Sequence, residues 1–433
     1  MQESTKRHLL ITVILLSLIP AIFLPHFPSL VSTHALSLYA SAIFGYIGIV
    51  LLMWMYILGA KSLMGHVFTD LAPVLRIHKW LGKYGTLAIF IHPLLITFSY
   101  GESLLYSFIP LIGTWAERHI LLGQLAFWVL LNIWVGSALI RGRMPWRVWK
   151  YMHYLAYICV PFVLLHIPDL GSQQRTYPLV NAYFAMLVAT FIIISIVRLV
   201  SVFNLDRTRY QVEKHVKLSA IDYMMRLVPS GRYQLNPKIG QYVYVKLGFL
   251  SEDHPFSVTQ YETAKGVITV TYRLSGMYTQ ELARTPPGSE VLLSGPYGSF
   301  MQNIEDDDTT PIVYIAGGIG VTPFIKPILE RSQTHEQWLF TSNRTRELAV
   351  LSRQLKDTLG EHAISVYSRE EKPLIPGEEK GHISADILRK YLGDVSRYQY
   401  YLCGPPAMMD SMHAMLANAG IAQERVMSED FGW

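Results

Sequence analysis

Four histidines occupy positions where histidine is costly. His78 and His92 bracket the apolar run "LRIHKWLGKYGTLAIFIHPLLI" (75–96), and His153 and His166 lie along a second such run at 148–167. An ionisable side chain within hydrocarbon costs free energy and marks a functional interior by default. The members of the two pairs are 14 and 13 residues apart, about 20 Å along a helix axis. One histidine of each pair therefore falls near each face of a bilayer. Neutral imidazole is a good axial ligand for haem iron. His78 facing His153 and His92 facing His166 would clamp two haems, one above the other. The competing reading, four rings that merely hydrogen-bond to neighbouring helices, leaves the two matched depths unexplained. His26, His34, His66 and His119 lack such pairing and read as loop or interface residues.

The elements that must hold these rings are membrane helices. The chain has 433 residues, 51% of them hydrophobic, and a mean hydropathy of +0.26, too apolar for a soluble protein and too polar for one wholly in lipid. Apolar runs of roughly 20 residues, the length that crosses hydrocarbon, recur at 9–25, 36–60, 78–100, 120–140, 148–167 and 179–203. Lys6, Arg7, Lys61, Arg76, Lys79 and "RGRMPWRVWK" (141–150) gather on one side, which the positive-inside rule makes cytosolic. Six crossings return the chain, so the segment after 203 is expected in the cytosol, beneath the plasma (inner) membrane. A cleaved signal peptide is the competing reading of the first run, but no small-residue cleavage site precedes Pro25. On an ideal helix a 14-residue step returns to within about 40° of the same face, whereas a 13-residue step misses by about 140°. A distortion is therefore expected near 158–162, where Pro161 removes a backbone donor.

Composition excludes several classes. The net charge of +5 is accounted for by the basic loops and gives no reason to propose nucleic acid. The two cysteines, Cys159 and Cys403, fall in different halves and exclude a disulfide framework. No EF-hand pattern is present, so direct calcium control is not expected.

Beyond Asn204 the pattern changes to short alternating strands, Gly and Pro punctuation and amphipathic helices. "SGMYTQEL" sets Gly276, Tyr278 and Thr279 at a helix start, where free N–H groups and the helix dipole bind phosphate. "GPYGSF" (295–300) adds turn glycines, and Glu305 to Asp308 form an acidic linker. "PIVYIAGGIGVTPF" (311–324) is an apolar strand, a glycine turn and a helix start, with Gly317, Gly318, Gly320, Thr322 and Pro323 forming a dinucleotide cradle. Arg344 and Arg346 follow the next strand, where a guanidinium could fork onto a 2′-phosphate. NADPH is therefore favoured over NADH. The competing reading is a solvated surface charge.

With these pieces in this order, the chain resembles the NADPH oxidase and ferric reductase superfamily, in a prokaryotic-type form without an EF-hand domain. The resemblance implies a membrane α-helical bundle of six spans followed by a cytosolic ferredoxin-reductase-like module. Its divisions would be a di-haem domain at 1–203, an FAD-binding β-barrel at 204–308 and an NAD(P)H-binding α/β domain at 309–433. "GQYVYVKLG" and "HPFSVTQ" resemble the flavin-binding strand pair, so His254, Pro255, Phe256 and Ser257 would meet the flavin. "YLCGPPAMMD" (401–410) resembles the second nicotinamide motif, which sets Cys403, Gly404, Pro405 and Pro406 against the nicotinamide. Phe431 matches the family's terminal aromatic, which stacks on the flavin and must move for hydride transfer. Trp433 is the alternative for that role. The family's bis-histidine ligands carry over to His78 and His153 for an inner b-type haem and to His92 and His166 for an outer one.

The implied activity runs from NAD(P)H to FAD, to the two haems and to an external acceptor. Both irons would be six-coordinate, so the acceptor takes its electron at the haem edge. O2 giving superoxide is the first expectation. Reduction of a ferric chelate is the alternative, and a haem-based redox-sensing subunit is a third. Membrane lipid is the surrounding partner, and accessory subunits and oligomeric state are left open.

Overall fold

The computed structural model describes residues 3–28, 32–101, 103, 105, 109–110, 112–170, 172–249, 251–302, 310–331 and 335–430. The chain divides into two units, Met1–Val202 and Phe203–Trp433.

Among the described residues of the first unit, six helices are long and apolar enough to cross a membrane: Thr5–Phe23, Thr33–Leu58, Ala72–Tyr100, Trp115–Leu139, Trp146–Pro168 and Pro178–Val202. The second span packs on the third and the fourth on the fifth. Their core joins Tyr46, Ile49 and Met53 to Ala126 and Leu130, Cys159 and Leu164, and Phe184 and Leu187. The outer faces are apolar as well. Ile192, Ile193, Ile196 and Leu199 are exposed on the sixth span, a surface suited to lipid rather than water. Ser32 and Thr114 cap the second and fourth spans by accepting from Ala35 N–H and Glu117 N–H.

Several of the spans depart from ideal winding, the fourth among them with a π turn at Val135–Leu139. Ala156–Leu170 runs as one helix through Pro161, and the distortion expected near 158–162 touches only the edge of that window, at Ile158. It lies one turn earlier, where Trp146–Tyr154 ends. There Leu155 N–H donates to Met152 O and Ile158 N–H to Leu155 O, both at 3.1 Å. The reason is the reach of proline: its ring presses on the carbonyl four residues back, so the strain falls on the turn before it. The third span contains a widened π turn at Leu81–Gly85, between its two histidines. Such a turn removes rotation and a tight turn adds it, so a face deduced from 14 ideal residues does not apply.

The second unit holds two sheets. Strands β1 (Thr208–Lys217), β2 (Asp222–Pro229), β3 (Tyr242–Lys246), β4 (His254–Glu262), β5 (Val267–Arg273) and β6 (Glu290–Tyr297) close a barrel in the order β1-β2-β5-β4-β3-β6. Its strands pair antiparallel, and its core includes Tyr210, Val212, Leu227, Val243, Val245 and Ile268. Strands β7 (Ile312–Gly317), β8 (Gln337–Asn343), β9 (Ala363–Tyr367), β10 (Glu378–Lys380), β11 (Gln399–Gly404) and β12 (Val426–Asp430) form a parallel sheet in the order β10-β9-β8-β7-β11-β12. Every residue of β7 is buried, which is why "IVYIAG" reads as an unbroken apolar run.

Candidate electron-transfer site

The third and fifth spans bring the four histidines together in the expected partnership. The ring centroids of His78 and His153 are 6.1 Å apart at 71°, and those of His92 and His166 are 6.5 Å apart at 85°. A metal–imidazole bond is about 2 Å, and a five-membered ring with bonds of about 1.35 Å places its nitrogen about 1.1 Å from the centre. An ion shared by two such rings needs roughly 6.2 Å between centroids, close to both separations. The second nitrogens fit the same role. His78 Nδ1–H donates to Met55 O at 3.0 Å, His92 Nδ1–H to Ser41 O at 2.9 Å and His166 Nδ1–H to His119 O at 2.8 Å. That bond fixes the tautomer and leaves Nε2 as the ligating nitrogen. Ser41, fully buried, also donates its hydroxyl to His92 O at 3.2 Å. The residues present therefore suit two bis-histidine haems.

The glycines beside these rings are residues that the histidine spacing alone does not reveal. A Cβ at Gly123 would stand 2.6 Å from His166 Nδ1, inside contact distance, and one at Gly45 would stand 3.1 Å from His92 Nδ1. Their signal was available, since a glycine within an apolar span marks a close approach.

On the barrel, His254 and Phe256 project towards the helix Met277–Arg284. The His254 ring stacks on Tyr278 at 3.9 Å and 18°, and Phe256 lies 6.3 Å from Tyr278. Pro255 pairs with Tyr244 and Ser257, buried, with Tyr242. The Tyr278 hydroxyl donates to Val245 O at 2.6 Å, and burial pushes that phenol far above its ordinary value. Thr279 Oγ1 accepts from Ser275 N–H at 3.0 Å and from Gly276 N–H at 3.2 Å. Both side chains are thus committed locally, and what this helix offers a phosphate is the N–H groups of its first turn.

The two nicotinamide-type motifs meet because β7 and β11 are parallel neighbours, with Cys403 opposite Ala316. Their glycine ends lie side by side at the carboxyl edge of the sheet, where open α/β sheets bind ligands. A Cβ at Gly320 would strike Cys403 O at 2.4 Å, and one at Gly317 would meet Pro405 Cδ at 2.7 Å. Gly318 has φ +56°, and Thr322 and Pro323 open the helix Thr322–Arg331. Cys403 is fully buried in the apolar cluster of Tyr314, Phe324 and Tyr401, so it is its carbonyl that faces the turn.

The arginines separate. Arg346 forks onto Glu378, with Nε at 2.9 Å from Oε1 and Nη2 on Oε2, and gives Nη2 to Pro373 O at 3.1 Å. Its hydrogen bonds hold the Glu378 carboxyl below the usual carboxylate range. Arg344 is exposed. Arg273, which the motifs do not single out, ties the barrel to the cradle: it binds Asp222 at 2.7 and 3.1 Å, donates to Leu348 O at 3.0 Å and stands 3.1 Å from where a Cβ of Gly318 would lie. Phe431 and Trp433 lie outside the described residues.

Two stretches of the chain match known families. Residues 44–164 match the family described as ferric reductase like transmembrane component, and residues 314–414 that described as oxidoreductase NAD-binding domain. The reductase component of propane 2-monooxygenase from Mycolicibacterium smegmatis is 24% identical over 52% of this chain and 67% of its own length. A flavohemoprotein of Rhizobium meliloti is 30% identical over 34% of this chain and 38% of its own. The chain thus spans from under half to about two thirds of these curated relatives. Among solved structures, flavohemoglobin from Malassezia yamatoensis, with bound FAD and heme, is similar at TM-score 0.47 and 21% identity, covering 75% of this chain and 90% of that one.

Proposed function

From its architecture, that of the NADPH oxidase and ferric reductase superfamily, we propose that this NAD(P)H oxidoreductase passes electrons across the membrane through FAD and two b-type haems to an external acceptor. The observation that carries the reading is the pair of facing histidines, 6.1 and 6.5 Å apart, at two depths of the same two spans. His78 and His153 hold one haem, and His92 and His166 the other. The flavin supplies the change from two-electron hydride to single electrons, and haem carries those singly.

The protein's own residues do the positioning. His254, Pro255, Phe256 and Ser257 line the flavin, and the first turn at Gly276, Tyr278 and Thr279 offers N–H groups to its pyrophosphate. Gly317, Gly318, Gly320, Thr322 and Pro323, with Gly404 and Pro405, cradle the nicotinamide dinucleotide. Cys403 supports the nicotinamide end from below, and Phe431 is the aromatic that covers the flavin. Arg344, which is exposed, receives a 2′-phosphate, which makes NADPH the donor. The barrel domain is taken as 204–308 and the nucleotide domain as 309–433, both in the cytosol beneath the plasma (inner) membrane, with the His92 and His166 pair on the far side.

O2 is the proposed acceptor, giving superoxide. A six-coordinate iron gives its electron at the haem edge, and O2 is small enough to reach that edge without a docking surface. Ferric chelate is the second reading, favoured by the description of the transmembrane family that matches. The test uses purified protein with FAD and NADPH. Two haems per chain and cytochrome c reduction that superoxide dismutase abolishes are expected. Dismutase-insensitive signal with rapid ferric-chelate reduction under argon replaces O2 by iron, and absence of haem overturns the whole reading.

A further inference from the structure

The two histidine pairs differ in their surroundings. At His92 and His166 both Nδ1–H groups are bonded to carbonyls, at 2.9 and 2.8 Å. At the other pair His78 has such a bond, but His153 Nδ1 is buried with no hydrogen-bond partner among the described residues. Its ring rests instead on Trp149, stacked at 4.9 Å and 21°, and Trp149 is held by Nε1–H donating to Ser137 Oγ at 3.0 Å.

A cation stands beside the same pair. Arg198, on the sixth span, donates Nη1–H to Tyr157 Oη at 2.7 Å and Nη2–H to Tyr56 O at 2.5 Å. Its guanidinium lies over the Tyr56 and Tyr157 rings, 4.4 and 5.0 Å from their centres. A Cβ built on Gly59 would be 3.0 Å from Arg198 Nη2 and 3.7 Å from His78 Cε1, so the guanidinium and the imidazole flank the residue that caps the second span. Arg198 Nε is buried without a hydrogen-bond partner, and no carboxylate is paired with the guanidinium among the described residues. An unneutralised cation inside a span is costly and calls for a functional reason.

Both features act on redox balance in one direction. A centre that gains an electron gains a negative charge, which a nearby cation stabilises, the more so in a low dielectric. A carbonyl bond at Nδ1 makes the other ring nitrogen more basic and favours the oxidised centre, and His153 lacks that bond. We propose that Arg198 sets the reduction potential of the haem held by His78 and His153 and, with the unbonded Nδ1 of His153, raises it above that of the haem held by His92 and His166. This rests on the two-haem reading above. It makes the entry side of the chain the better electron store, so that one electron rests there until the acceptor draws it across.

The test is a potentiometric titration of the full-length, haem-loaded protein, followed by its visible absorption. Wild type should titrate as two one-electron components. His166→Ala should lose the lower component and keep the upper. Arg198→Gln should lower the upper component by about 59 mV or more, a tenfold change in its equilibrium constant, without moving the lower. Arg198→Lys, which keeps the charge, should restore most of that shift. The proposal is overturned if the component left in His166→Ala is the lower one, or if Arg198→Gln moves the lower component or neither. The wild-type and His166→Ala titrations decide the order of potentials even if Arg198→Gln fails to fold. Fewer than two haems per wild-type chain would instead refute the two-haem reading itself.

Discussion

A single carbon atom at Gly123 is enough to test the haem ligand set proposed for His92 and His166. The added Cβ would lie 2.6 Å from His166 Nδ1, so Gly123→Ala must push the imidazole off its bond to His119 O. Haem content measured by pyridine haemochrome should fall from two per chain towards one. Gly45→Ala, whose Cβ would stand 3.1 Å from His92 Nδ1, asks the ring to give only a few tenths of an ångström and should lower haem content less. The arginines predict a second contrast. Arg344→Ala should raise the KM for NADPH about tenfold, the loss of about 1.4 kcal/mol expected for a charge-assisted contact, with the KM for NADH unchanged. Arg346→Ala should leave both KM values alone and lower the melting temperature, because its guanidinium is spent on Glu378 and Pro373 O. Steady-state curves with the two nucleotides check the KM values, and a thermal melt checks the loss of stability.

At the level of elements, the strap from β8 to β10 depends on protonation. Arg346 hydrogen bonds hold Glu378 below its ordinary value of 4.5, and backbone N–H groups of Arg346 and Lys372 do the same for Glu370. A carboxyl with a depressed folded pKa contributes stability that is present above its unfolded pKa and lost as pH falls through the folded value. Melting temperature should therefore decline as pH drops below about 4.5, and Glu378→Gln should flatten that acid limb. An unchanged limb would assign the acid loss to other groups. The spans teach the converse lesson about elements. Their existence follows from apolar length, and the tight turn at Leu155 goes with Pro161 downstream, but the π turn at Leu81–Gly85 has no signal in a periodicity argument made on one helix at a time.

For the molecule as a whole, each turnover in the proposed function moves negative charge across the bilayer. A full charge crossing 100 mV is worth about 2.3 kcal/mol, so an inside-negative potential assists the outward transfer of electrons. In proteoliposomes with NADPH on the reductase side, negative inside, acceptor reduction should accelerate by up to about fifty-fold per 100 mV if the full crossing limits the rate. Collapsing the gradient with an ionophore should remove that effect. Rates indifferent to potential would place the limiting step before the spans, at hydride transfer.

What the sequence determined by itself is what depends on residue type and local order. Apolar length announced the six spans, and ionisable residues inside them announced His78, His92, His153 and His166. The strand, glycine turn and helix start announced Gly317 to Pro323. Tertiary structure decided what depends on partners distant in the chain. It gave Gly123 to His166 across two helices, bound Arg346 to Glu378 while leaving Arg344 exposed, turned the Cys403 side chain into the core, and set Arg198 beside His78 with no acidic partner among the described residues. The reason is physical: helix length and turn chemistry are fixed by neighbours along the chain, whereas steric clearance, charge pairing and desolvation are fixed by whatever the fold brings within a few ångströms.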